Sequence, residues 1–393
     1  MRDVLIPADI RFPLERANGV QVVKTAAALA AGGWPTTLLV RRSDPRPAEE
    51  ILALYGVAPE AHLRVRRLAV RHRRGSFALP RAAFLLRAAA AAARARGVVF
   101  TRDLQLADVL LRLVPRLRRR LVYEAHAVES LMYAERSRLY AGAPPPDPAK
   151  ERRLFRREGR VWRKAAAIVT TTDGIRRTLG ERYGPRERTA VVPNGCDRPA
   201  GAFPGLATEE PPRVLYAGQL YPWKGVDVLV EAVARVPGCR LVVLGGLPGE
   251  SDLERVRALV EARGLAARSE LRGTVPQREV AAELQRAAVV AVPFLHTGMT
   301  EAHTSPLKAF EAMAAGRPIV ASDLPSSREF LRDGDNALLV PPGDADALAG
   351  ALRRLLDDRA LALRLAGAAF AEAPRYAWPE RARRLGALFE ALP

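Results

Sequence analysis

The sequence predicts an α/β protein made of two doubly wound, Rossmann-like domains facing a central cleft. Short β-branched runs alternate with longer amphipathic runs along most of the 393 residues, as parallel strands with helices on both faces require. The alternation runs its course once, breaks at a turn-rich stretch from Pro193 to Pro204 followed by Glu209-Glu-Pro-Pro, and then restarts. Charge divides at the same place: residues 1–196 carry 38 basic and 18 acidic side chains, whereas residues 197–393 carry 24 and 25. These observations set the expected organisation as 1–195, 196–375, and a last helix over 376–393 that packs back toward the first domain.

In chain order, strands are expected at Val4–Ile6, Thr37–Val40, Val98–Thr101, Leu121–Glu124, Ile168–Thr170 and Ala190–Pro193. Helices between them are expected at Val20–Ala31, Pro80–Arg96, Pro148–Ala165 and Gly174–Tyr183. The second half repeats the scheme with strands at Arg213–Ala217, Arg240–Leu244, Leu271–Arg272, Val289–Pro293, Ile319–Ala321 and Ala337–Val340. Its helices fall at Val226–Arg235, Leu253–Arg263, Arg278–Arg286, Pro306–Ala315 and Ala345–Leu356. The basic run from Arg64 to Arg74 reads as a solvated strand and loop, and Gly142-Ala-Pro-Pro-Pro as a surface loop before a basic helix.

Composition narrows the class. Apolar residues make up 49% and charged residues 27%, the balance of a globular protein rather than a disordered one. Two cysteines, Cys196 and Cys239, supply neither a disulfide framework nor metal spacing. The N-terminus runs directly into a strand pattern and no 18-residue apolar stretch occurs, so a cytoplasmic protein is expected. Of 62 basic residues 57 are arginine. A basic protein of this kind could bind nucleic acid, but the basic half lacks base-stacking aromatic strands, zinc spacing and a helix-turn-helix pattern.

The densest chemistry lies in His303-Thr-Ser-Pro-Leu-Lys-Ala-Phe-Glu. Ser305 as cap and Pro306 at the first helical position would leave the amides of Leu307 and Lys308 open to an anion. Glu311, one turn further, could accept two hydrogen bonds from a vicinal diol. Upstream, Tyr216-Ala-Gly-Gln-Leu-Tyr-Pro-Trp-Lys-Gly ends a strand in Gly218 and delivers Lys224 before a new helix, where an ammonium could balance a diphosphate. Asn18-Gly19 marks the handover from the first strand to its helix, and Tyr123-Glu-Ala-His126 ends an apolar strand. Asp333-Gly-Asp335 reads as a turn, so no metal is assigned. The glycines from Gly245 to Gly249 lack dinucleotide-fingerprint spacing.

Taken together, the two motifs resemble those of family-4 (group 1) glycosyltransferases of the GT-B fold, with support from Val192-Pro-Asn-Gly-Cys-Asp, Leu241-Val-Val-Leu-Gly-Gly, Arg272-Gly-Thr-Val-Pro and Asp333-Gly-Asp-Asn-Ala-Leu-Leu-Val. The resemblance implies a retaining hexosyltransferase that uses a nucleotide diphosphate sugar, with no cofactor. It implies His126, Lys224 and Glu311 as catalytic, and Gly19, Gly218, Gln219, Lys224, Val275, His303, Thr304, Ser305, Leu307, Lys308 and Glu311 around the donor. Two positions depart from the family: Gln219 stands where an arginine is common, leaving Lys224 as the matching cation, and His303 replaces the first of two glutamates. A nucleotide-sugar 2-epimerase or a phosphorylase on the same architecture stays open as an alternative. The basic first half is expected to meet an acceptor glycan, lipid or small molecule, with peripheral contact to an anionic membrane at its inner face through Arg64 to Arg74, Arg116 to Arg120, and one helix face bearing Arg152, Arg156, Arg160 and Arg163 beside Phe155 and Trp162.

Overall fold

The computed structural model describes residues 3–13, 17–69, 78–140, 142–199, 201–247 and 249–393. The chain forms two compact units, Met1–Ser130 with Asp147–Pro193 and Trp378–Pro393, and Leu131–Pro146 with Asn194–Ala377. In the first, strands β1 (Val4–Phe12), β2 (Thr36–Arg42), β3 (Leu63–Leu68), β4 (Val98–Thr101), β5 (Leu121–Ala125), β6 (Ala167–Thr170) and β7 (Thr189–Val191) lie in the order β3-β2-β1-β4-β5-β6-β7. Every pairing is parallel. β4, β5 and β6 are buried along their whole length, which is why they read as unbroken apolar runs. The edge strand β3 exposes Arg64 and Arg66 between half-buried neighbours, a charged edge that discourages further pairing. Residues 70–74 of the basic run lie outside the described residues.

The second unit holds β8 (Arg213–Ala217), β9 (Arg240–Leu244), β10 (Ser269–Leu271), β11 (Ala287–Val292), β12 (Ile319–Ser322) and β13 (Leu338–Val340), ordered β10-β9-β8-β11-β12-β13 and again all parallel. One apolar core joins Val214, Tyr216, Leu241 and Val243 to the helices Val226–Ala234, Ser251–Ala262 and Ala345–Asp357. A second, on the other face, joins Leu215, Val242, Val290 and Val292 to Leu284, Phe310 and Met313. The strand order reverses between β1 and β4 in one sheet and between β8 and β11 in the other, the position where doubly wound sheets open a crevice beyond the strand ends.

Three expectations need correction. The single boundary at residue 195 misses an excursion: Leu131–Pro146 belongs with the second unit, where the Tyr140 ring meets Tyr221 edge-on at 5.0 Å. On the basic helix Pro148–Lys164, Arg160 does not share a solvent face with Arg152, because Asp108 accepts from its Nε at 2.8 Å; Arg157 and Arg112 converge on the same carboxylate. Trp162 is buried, its indole donating to the Gly184 carbonyl at 3.0 Å, so only Phe155 of the aromatic pair is exposed. Arg152, Arg153, Arg156 and Arg163 do remain exposed, as do Arg116, Arg118 and Arg119 on the short turn Pro115–Arg119.

The helix Trp378–Glu390 is anchored within the first unit by two contacts. Phe389 packs edge-on against Trp34 at 5.5 Å and against Phe100 at 5.7 Å. Arg381 pairs with the buried carboxylate of Glu124 on β5 and also donates to Thr25 Oγ1 (3.1 Å) and to the carbonyls of Val192 (2.8 Å) and Pro193 (2.5 Å). Burial would raise the Glu124 pKa, but the Arg381 guanidinium outweighs it, helped by His126 and Arg102, and holds the carboxyl well below the usual carboxylate range. Removing one partner would strand the other charge in the core. Arg381→Ala is therefore expected to lower unfolding free energy by about 3–5 kcal/mol in urea melts, and the double variant with Glu124→Gln to recover part of that loss. A single-variant cost below about 1 kcal/mol would show that the pair does not anchor the helix.

Candidate active site

At the reversal point of the second sheet, β8 ends at Ala217 and hands over to Gly218, whose N–H donates to Leu244 O at 2.7 Å. The short turn Pro222–Lys224 follows, and Gly225 at φ +70° starts the helix Val226–Ala234. A side chain at Gly225 would place its Cβ 1.7 Å from the Pro293 carbonyl, so only glycine lets the turn after β8 lie against the end of β11. That close approach sets Lys224 beside the aromatic wall. Its Nζ lies 3.8 Å from the centroid of Trp223 and 4.6 Å from that of Phe294, and burial pushes the ammonium down to about 7. The Gln219 carbonyl accepts from the Tyr216 hydroxyl at 2.5 Å, fixing this loop to the strand beneath it.

The second motif departs locally from expectation. The helix is Leu307–Ala314, with Pro306 in extended backbone as its N-cap and no capping side chain. Ser305 is turned away to receive the N–H of Asn194 at 3.1 Å on its hydroxyl, while its carbonyl accepts from Asn194 Nδ2 at 2.7 Å. Ser305 thus holds the entry loop rather than capping the helix, and the open amides of the first turn still include Leu307 and Lys308. Asn194 is a residue that the motif reading left unassigned; its position in Val192-Pro-Asn-Gly was the available signal. Gln277, also unassigned, donates to Glu311 Oε1 at 2.7 Å from the first turn of Gln277–Arg286. Half-buried Val275 lies two residues before it.

Upstream of Leu307 the polar side chains are buried. Thr304 donates to Met299 O at 3.3 Å, and His303, 5% exposed, closes the helix Gly298–Ala302 and is pushed down to about 4 by burial. Lys308 is buried beneath Gly218, its Nζ 3.7 Å from the Tyr216 centroid and 5.6 Å from that of Phe294. Burial, reinforced by the neighbouring Lys224 charge and opposed by Glu311, holds its ammonium well below the ordinary lysine range.

In the first unit, Gly19 is buried inside the first turn of Ala17–Ala31 rather than in the turn before it. His126 follows β5, and its Nε2 lies 3.0 Å from Glu124 Oε2; Gln21 Nε2 donates to the same oxygen at 3.1 Å. Burial pushes His126 down to about 4, with Arg102 adding to the effect and Glu124 opposing it. Gln21, Thr25, Thr101, Arg102 and Glu124 line a small cavity at this reversal point. Glu129, three residues beyond His126, is raised to about 7 by burial and by Glu158. No sequence pattern announced it.

Among the described residues, no group of three or more His, Cys, Asp or Glu side chains could hold a metal ion. Asp333 accepts from the Leu339 N–H at 2.9 Å and Asp335 pairs with Arg332 at 2.6 Å, which is turn chemistry.

Two family models match the chain: "Glycosyl transferase 4-like domain" over residues 18–195 and "Glycosyl transferases group 1" over residues 211–358. The chain belongs to the group 1 glycosyltransferases, of family-4 type. Relatives of this glycosyltransferase include the D-inositol 3-phosphate glycosyltransferase of Nocardia farcinica, 33% identical over 279 residues (66% of this chain, 59% of that protein). The phosphatidyl-myo-inositol mannosyltransferase of Mycobacterium leprae is 33% identical over 238 residues (59% of this chain, 61% of that protein). The chain thus spans about three-fifths of the length of these curated relatives. Among solved structures, sucrose-phosphate synthase from Thermosynechococcus elongatus superposes with a TM-score of 0.77 at 22% identity, covering 99% of this chain and 98% of that one. Anabaena HepE in complex with UDP and glucose gives 0.73 at 17% identity, with both chains fully covered. The fold is GT-B, with two parallel-sheet Rossmann-like domains. The 2-epimerase alternative is not supported, since both family models describe glycosyl transferases.

The imidazoles of His126 and His303 are discharged by burial, which yields a pH prediction. A histidine depressed to about 4 binds protons less well folded than unfolded, where its pKa is ordinary. Its contribution to stability is present above about pH 6.5 and is lost as pH falls from there toward 4. Imidazole NMR signals of His126 and His303 should stay in the neutral form down to about pH 5. Titration of either near 6.5 in the folded protein would refute the burial argument.

Proposed function

We propose that this glycosyltransferase moves a hexose from a nucleotide diphosphate sugar to an acceptor hydroxyl with retention at the anomeric carbon. The observation that carries the reading is the grouping, at one edge of the second sheet, of the Lys224 ammonium, the helix-start amides of Leu307 and Lys308, and the Glu311 carboxylate. A diphosphate leaving group needs charge balance as the bond from the anomeric carbon to phosphate breaks. Lys224 and the two amides supply it without a metal ion. Glu311 is suited to hydrogen-bond a ribose diol, sharing its oxygens with Gln277. Gly218, Gln219, Val275, His303, Thr304 and Ser305 form the surrounding loops. Gly19 and His126 enter through the family resemblance, His126 as a neutral imidazole. The names of the relatives, among them an inositol phosphate glycosyltransferase and a mannosyltransferase, support a hexose donor.

The acceptor side of the reading rests on the first unit, with the protein acting in the cytoplasm. The exposed Arg116, Arg118, Arg119, Arg152, Arg153 and Arg156 stand with Leu113 (62% exposed) and Phe155 (40%) on the packed helices Leu104–Leu113 and Pro148–Lys164 and the adjoining turn. Arginine around exposed apolar side chains suits an anionic lipid surface presenting the acceptor. Among the described residues no helix is long and apolar enough to cross a membrane, so any such contact is peripheral through these groups.

Two measurements test the reading. Glu311→Ala should lower turnover or donor affinity about a hundredfold, the loss of roughly 3 kcal/mol from two charge-assisted hydrogen bonds, while thermal melting stays cooperative. Unaltered kinetics in that folded variant would remove Glu311 from the site. Cosedimentation with phosphatidylglycerol vesicles should weaken with salt and weaken further in Arg152→Glu/Arg156→Glu; equal indifference to anionic and neutral vesicles would leave a soluble acceptor.

A further inference from the structure

A buried ammonium without an acceptor is costly, and packing alone would favour leucine or methionine at such a position. Lys308 is 8% exposed and its Nζ has no hydrogen-bond partner. The nearest groups are aromatic faces, Tyr216 at 3.7 Å and Phe294 at 5.6 Å, and Phe294 is also the ring 4.6 Å from Lys224 Nζ. Two cations therefore share one wall and repel each other. Above Lys308 the chain carries no side chain: a Cβ on Gly218 would lie 2.7 Å from Nζ. The ammonium comes up under bare backbone at the carboxyl end of β8, from the first turn of the helix whose amides are open.

We propose that the Lys308 side chain is a second ligand-side cation of this site, receiving an oligophosphate anion jointly with Lys224, and that entry of the anion is coupled to proton uptake by the lysine pair. This rests on the reading that a diphosphate docks on the second unit. The charged and titratable groups facing Lys308 are few. Lys224 lowers its proton affinity, Glu311 on its own helix raises it, and Tyr216 below is kept a neutral phenol by burial. With no anion present, burial lowers the proton affinity of both amines, Lys224 to about 7 and Lys308 well below the ordinary lysine range. A diphosphate supplies the missing countercharge and raises the proton affinity of both amines, so any fraction that is neutral takes a proton from the buffer and becomes an ammonium hydrogen-bonded to phosphate oxygen. Affinity then falls as pH rises above about 7, because the protons must come from a scarcer supply.

The test is isothermal titration of the full chain with UDP, GDP, ADP and inorganic pyrophosphate at pH 7.5 to 9, in two buffers of different ionisation enthalpy. Wild type should bind at least one nucleoside diphosphate with uptake of about one proton or more, and lose about tenfold in affinity per pH unit in the upper range. Lys308→Met should weaken that binding about tenfold or more, reduce the proton count, and melt no lower than wild type without ligand, since it removes a buried amine that has no hydrogen-bond partner. Gly218→Ala, which drives a methyl group onto the retained ammonium, should weaken binding as well. Lys308→Met that binds with wild-type affinity and proton count would overturn the inference and leave the donor-site reading standing. Wild type that binds none of the four anions would overturn both.

Discussion

Parallel strand pairing is the constraint on which the rest of this structure depends. A parallel pair cannot be closed by a tight turn, so each connection becomes a crossover, and all strand ends and helix starts gather on one edge of each sheet. Lys224 follows β8, the helix bearing Lys308 and Glu311 follows β11, and Arg102 and His126 follow β4 and β5. Residues about eighty positions apart become neighbours because topology returns the chain to that edge. The glycines there serve the same end: Gly225 lets the turn after β8 press on the backbone that leaves β11.

Buried charge is used in two contrasting ways. Glu124 and Arg381 satisfy one another, and Gln21, Thr25 and two backbone carbonyls take up hydrogen bonds around them. Such a pair rigidifies, and it fixes the environment of His126. Lys308 is the opposite, a buried amine beside π faces and a second lysine, with no hydrogen-bond partner. Cation–π attraction recovers only part of the hydration it has lost. An interior that tolerates this arrangement is prepared for a charge that comes from outside.

Much of the architecture was legible because apolar runs and turn clusters map directly onto buried parallel strands. β4, β5, β8, β9, β11 and β12 stand where the β-branched runs fall. β3 was legible only as part of a solvated strand and loop, since an edge strand studded with Arg64, Arg66 and Arg67 lacks the apolar run of a buried strand. At the site, motif spacing pointed to Lys224 and Glu311, but spacing says nothing of rotamers. Ser305 could cap or brace a loop, and which it does depends on Asn194, more than a hundred residues away. Gln277 and Glu129 carry no motif, and their relevance comes from a hydrogen bond and from burial. The helix Pro148–Lys164 shows the same limit: periodicity aligned Arg152, Arg156 and Arg160, yet only the packed neighbour bearing Asp108 decides which of them reach solvent.

The uneven charge of the two halves follows from what each does with arginine. In the second unit Arg213, Arg272 and Arg286 converge on Glu283, and Glu209 bridges Arg213 and Arg286, so guanidinium groups are spent locally on stitching strand β8 to the helix Gln277–Arg286. In the first unit Asp108 plays that part for Arg112, Arg157 and Arg160, after which the exposed arginines of Pro115–Arg119 and the start of Pro148–Lys164 outnumber nearby acids. Codon usage explains arginine in place of lysine, but it does not explain why acidic partners are withheld from one surface. Carboxylates placed among those arginines would have given modest surface ion pairs at little cost. Their scarcity leaves a positive field over this unit, which reaches beyond contact range.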